Sequence, residues 1–85
     1  MKQREKQPEK KEIKEEERRV RTLRFLVDFS LAYLAQTKLS LEEARAVVEG
    51  VKKQALQLFP EKEETFDLIY LPRFQRLLRD KYRLH

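Results

Sequence analysis

The side chains able to carry chemistry in this chain are few. There is one histidine, His85, and there are two serines, Ser30 and Ser40; Glu61, Glu63, Glu64 and Asp67 form an acid cluster, and Arg73, Arg76, Arg79 and Arg83 fall in one short stretch. A serine nucleophile needs a general base within hydrogen-bond reach, and the only histidine is the last residue, in the part of a domain that most often frays. Ser40 reads as a helix cap. Ser30 lies among apolar residues and is expected to return its hydroxyl to a backbone carbonyl. With no cysteine there is no thiolate nucleophile, no cysteine metal site and no disulfide framework. A single glycine, Gly50, excludes phosphate-cradling and dinucleotide loops.

Two acids on one helical turn can hold a divalent cation or act as an acid/base pair. The cluster at 61–67 has a simpler reading, because acids at a helix start complement the macrodipole. A bundle of this size must also fill its interior with side chains, which leaves no room for a catalytic pocket. The expectation is therefore a protein that is not an enzyme, with no cofactor, no metal and no small-molecule substrate.

The arginines raise a different chemistry. The formal net charge is +5 with pI ≈ 9.6, a balance that suits nucleic acid. Arg76, Arg79 and Arg83 share a helical face, with Arg73 and Lys81 near and Asp80 opposing, and arginines along one ridge can track phosphates. Arg73, Arg76, Arg79 and Arg83 are thus candidate nucleic-acid contacts. Cations near a helix C-terminus are also what the dipole selects, so the same residues have a structural reading.

The elements that must position these groups are helical. One glycine and three prolines, Pro8, Pro60 and Pro72, leave few breakers, and apolar residues recur at spacings of three and four. A first helix is expected over about 12–36, supported by the pairs Glu15 with Arg19 and Glu17 with Arg21. Ile13, Val20, Val27 and Leu34 line one face of it, with Leu23 and Leu31 alongside. Phe25, Phe29 and Tyr33, four apart, line another. Ser40-Leu41-Glu42-Glu43 has the form of a capping box opening a second helix over about 41–59, which Pro60 ends. A third helix over about 64–83 places Phe66, Ile69, Tyr70, Phe74, Leu77 and Leu78 inside and is kinked or broken at Pro72. Short connections favour an all-α, up-down-up three-helix bundle.

Residues 1–11 mix Lys, Arg, Glu and Gln and read as a charged disordered arm, leaving 12–85 as a single domain. The longest apolar stretch, Leu23 to Ala35, is interrupted by Arg24 and Asp28 and is shorter than the roughly 20 apolar residues that cross a bilayer. No secretory or mitochondrial leader pattern opens the chain, and with no cysteine the expected location is the cytoplasm. If helices 2 and 3 grip helix 1 from two sides, both of its apolar stripes are core. If they share one side, the aromatic stripe is exposed and marks an interface. The expected function is a non-catalytic helical interaction or regulatory module. Its partner is another protein or a second copy forming a homodimer, met through Phe25, Phe29 and Tyr33; nucleic-acid binding through the basic C-terminal helix is the alternative.

Overall fold

The computed structural model describes the backbone of residues 2–83 and the side chains of residues 13–83. Within them the chain is helical throughout, without a strand: α1 (Lys2–Gln36), α2 (Leu41–Leu58), and a third rod made of α3 (Glu63–Thr65), a π-helical segment (Phe66–Tyr70) and α4 (Leu71–Tyr82). The three rods form the expected up-down-up bundle. The reading of residues 1–11 as an arm concerns side chains that lie outside the described residues.

The capping box is formed in full. Ser40 leaves the helix in an extended conformation, φ −70° and ψ 163°; its Oγ accepts from the Glu43 amide at 3.0 Å, while the Ser40 amide donates to Glu43 Oε1 at 2.9 Å. Two amides with no intrahelical partner are thereby satisfied. Pro60 follows the Phe59 C-cap and cannot continue α2.

Pro72 breaks the third rod in a specific manner. A proline cannot donate to the carbonyl four residues back and its ring crowds that group, here the Leu68 carbonyl. The chain responds one turn earlier by widening, so that the Leu71 amide bonds to the Phe66 carbonyl, five residues away, and Pro72 falls in the first turn of α4. The apolar spacing uses the wide turn. Phe66, Tyr70, Phe74, Leu78 and Tyr82 repeat every four residues, which on an ideal α-helix drifts by about 40° per step, and a π turn absorbs part of that drift. Ile69 is corrected by the same feature: expected inside, it is 55% exposed, and its neighbour Leu68 is 72% exposed.

The core consists of Val27 and Leu34 from α1, Ala44, Val48, Val51 and Ala55 from α2, and Phe66, Phe74 and Leu78 from the third rod. Each large side chain buried here contributes about 1.5–3 kcal/mol from loss of apolar contact with water. Ile13 does not join it. Expected on the core face, it is 56% exposed, because α2 ends too soon to cover it: the Arg19 guanidinium already sits over the Phe59 ring at the end of α2, 5.7 Å from its centroid, and Ile13 lies a further turn and a half along α1.

The side chains of Lys81, Tyr82 and Lys52 make polar contacts between the rods. Lys81 on α4 donates to the carbonyls of Leu34 and Thr37 at the end of α1, the latter at 2.6 Å. Tyr82 donates its hydroxyl proton to the Leu39 carbonyl at 2.6 Å. Lys52 on α2 meets Asp67 at 2.9 Å and Glu63 at 3.2 Å. α1 has no basic residue in its last turn, so Lys81 supplies from another helix the cation that its carbonyls favour.

Candidate interaction surface

Ser30 is buried at 6% exposure and Ser40 Oγ is engaged in the cap, so neither hydroxyl faces a reactant. Glu63 and Asp67 of the acid cluster converge on Lys52. Its ammonium is held above the ordinary lysine value by the hydrogen bond to Asp67 first and that to Glu63 second. Among the described residues no three His, Cys, Asp or Glu side chains come together in a group able to hold a metal ion. His85 lies outside the described residues. An apolar cleft between Val20, Leu23, Phe59, Phe66 and Tyr70 measures about 230 Å³, and more open grooves on either side of α4 measure about 400 and 500 Å³.

The four candidate arginines are all exposed, but they do not share one setting. Arg73 reaches Asp28 on α1 at 3.7 Å, and with Arg76, Leu31 and Pro72 it borders the groove beside α1. Arg79 borders the groove on the other side of α4, with Arg45 and Glu49 of α2. Arg83 forms the left-handed C-cap of α4, φ 55°. Lys81, near these arginines in sequence, is turned inward onto α1.

Phe25, Phe29 and Tyr33 are 70%, 59% and 41% exposed. Helices 2 and 3 cover the Val27 and Leu34 side of α1 and leave this stripe outside. The rings stack on one another down the helix, centroids 5.9 Å apart for Phe25 and Phe29 and 6.5 Å for Phe29 and Tyr33. Such spacing belongs to offset aromatic pairs, which shed some water contact while remaining available to a further surface.

The stripe itself carries no charge between Thr22 and Gln36, and charges begin at its edges. Asp28, paired with Arg73, marks the flank of α1 that faces the third rod; Leu26 and Tyr33, about 140–160° round the helix from it, mark the flank that faces α2. Between these flanks, from Thr22 to Gln36, the outward positions are Thr22, Phe25, Phe29, Ala32, Tyr33 and Gln36. On α2, Lys52 marks the flank facing the third rod, so the flank toward α1 lies about 140–220° round from it, at Glu43 in the first turn and then at Val47, Gly50, Gln54 and Gln57. In a chain with 41% charged residues, the α1 strip from Thr22 to Gln36 and the α2 flank from Val47 to Gln57 carry no charge, and Glu43 closes the α2 flank at its start. The aromatic spacing was legible in sequence. The α2 flank from Val47 to Gln57 was not, because it is defined only once Lys52 is known to face Asp67.

No helix among the described residues is long and apolar enough to cross a membrane. Comparison with known protein families, with curated proteins and with solved structures found no match for this chain.

Proposed function

We propose that this protein is a non-catalytic helical interaction module that docks another protein surface through Phe25, Phe29 and Tyr33. The observation that carries the reading is the exposure of three mutually stacked aromatic rings in a charge-free strip on an otherwise highly charged molecule. Interface centres are depleted in charge and enriched in aromatic residues, and a contiguous exposed apolar patch is the usual mark of a binding surface. The capping role of Ser40 and the burial of Ser30 support the non-catalytic part. A reducing compartment such as the cytoplasm fits the absence of cysteine.

The test is Phe29→Glu in dilute protein. For a docking face the charge stays in water, and the urea midpoint and circular dichroism match the parent. A loss of several kcal/mol, as expected for a charge placed in a core, refutes the reading.

A second reading rests on the four exposed arginines of the C-terminal helix, which suit phosphate contacts. Support for it is weaker, since Arg73 is engaged with Asp28 and Arg79 opens onto a different groove. Fluorescence anisotropy with labelled DNA and RNA over a salt series distinguishes the two. Phosphate binding must weaken steeply with salt, whereas an aromatic face produces no such slope.

A further inference from the structure

Resting on the docking face just proposed, we infer that its occupant is a second copy of this chain, packed with α1 antiparallel to α1 across a two-fold axis at Phe29. An isologous contact requires that each position before the axis find a suitable partner the same distance after it. The α1 stripe meets this requirement. Phe29 faces its own copy; Phe25 falls against Tyr33, ring on ring; and Thr22 falls against Gln36, a hydroxyl against an amide that can exchange hydrogen bonds with it. No charge is trapped between Thr22 and Gln36.

Charge at the two ends sets the direction. The end of the stripe before Thr22 carries Arg18 and Arg21, and the other end adjoins the first turn of α2 with Glu42 and Glu43. Arg18 and Arg21 lie about 12–16 Å along the axis from Phe29, and Thr37, where the chain turns toward α2, lies about 12 Å the other way. An antiparallel pair therefore brings the arginines of one copy level with the glutamates of the other. A parallel pair sets arginine level with arginine, an arrangement that like charges disfavour.

Area sets the strength. The exposed parts of the three aromatics amount to about 340 Å² per copy if each whole side chain counts for about 200 Å², hence about 700 Å² for the pair. Stable specific interfaces begin near 1,200 Å². The remaining outward positions of α1 and the α2 flank from Val47 to Gln57 must contribute the difference, so the dimer is a weak one with a Kd in the micromolar range, on the order of 1–100 μM.

Sedimentation equilibrium from about 1 to about 500 μM tests this, since it spans the predicted Kd. The parent chain should pass from monomer to dimer. Phe29→Glu should raise Kd by at least about 10-fold, as loss of a central aromatic anchor does, and Arg18→Glu with Arg21→Glu should also weaken the dimer, with strength partly regained when that chain is mixed with one carrying Glu42→Arg, which leaves the Ser40–Glu43 cap in place. The absence of native cysteine allows a direct check of direction. Under mild oxidation a mixture of Thr22→Cys and Gln36→Cys chains should form a mixed disulfide, while each alone should not self-link. Self-linking of each variant without the mixed product points to a parallel pair and overturns the arrangement. A strict monomer at about 500 μM overturns the second copy altogether. If that monomer keeps its stability with Phe29→Glu, the docking face stands with a different occupant; if Phe29→Glu unfolds it, the docking face itself is lost.

Discussion

Lys81 Nζ lies 2.6 Å from the carbonyl oxygen of Thr37, 44 residues earlier in the chain. The same ammonium also serves the Leu34 carbonyl, so one cation satisfies two acceptors that α1 leaves open at its end. Hydrogen bonds from a charged donor are worth about 1.5–3 kcal/mol, and a carbonyl deprived of its partner away from water adds a desolvation cost. Lys81→Met, which keeps the stem, should lower stability by about 1–3 kcal/mol, visible as a lower urea midpoint at unchanged slope. An unshifted midpoint would show that water replaces the ammonium at no loss.

The cap of α2 gives a second expectation. Ser40→Ala removes the oxygen that accepts from the Glu43 amide and should cost about 0.5–2 kcal/mol. Because Glu43 reaches back to the Ser40 amide, Ser40→Ala and Glu43→Ala should be non-additive in a double-mutant cycle of urea midpoints. Additive losses would mean that the two bonds act independently.

Gly50 should be replaceable with benefit. An added Cβ would meet nothing within 4 Å, and glycine in a helix interior is about 1 kcal/mol less favourable than alanine. Gly50→Ala is expected to raise the melting temperature of the monomer, measured by circular dichroism in dilute solution. A decrease would reveal a close backbone approach that the open surroundings of Gly50 do not indicate.

The Lys52 contacts predict an alkaline limb in stability. The folded ammonium is held above its ordinary value by Asp67 and Glu63, so the folded state binds this proton more tightly than the unfolded chain does. The resulting stabilisation is complete below the unfolded lysine value near 10.4 and is lost as pH rises through the higher folded value. Urea midpoints followed from neutral pH to about pH 12 should fall less in Lys52→Met than in the parent over the region above about pH 10. Equal falls would remove Lys52 as a source of the limb.

The charged segment at the start of α1 supplies a further expectation. Deleting residues 1–11 should leave the melting temperature nearly unchanged, because that stretch has no apolar residue after Met1 to bury. A large drop would show that it packs.

Legibility in the sequence followed the range of each interaction. Ser40 and Glu43 are three residues apart, so their cap could be read from four letters. Pro72 announced a break, but the break took the form of a wide turn placed before the proline, over Phe66–Tyr70, and it moved Ile69 outside. Ile13 had the spacing of a core residue and lacked only a neighbour, which depends on where α2 stops relative to α1. Lys81 with Thr37 and Lys52 with Asp67 join helices whose mutual rotation no local pattern specifies. The exposed aromatic stripe lay between these cases: its spacing was evident, and the side of α1 chosen by α2 and α4 was one of two arrangements that the apolar pattern allowed.

The position of Lys81 and Tyr82 has a consequence for the order of assembly during synthesis. Together they fasten the last turn of α4 to the end of α1 at Leu34 and to the α1–α2 connection at Thr37 and Leu39, so the join between the first two rods lacks its clasp until α4 has left the ribosome. A nascent chain halted near Pro72 would hold α1 and α2 as an unlatched hairpin with Val27 and Leu34 uncovered on the side meant for Phe74 and Leu78. Domains are typically completed as units during synthesis; here the first two rods stay unfastened until α4 is made.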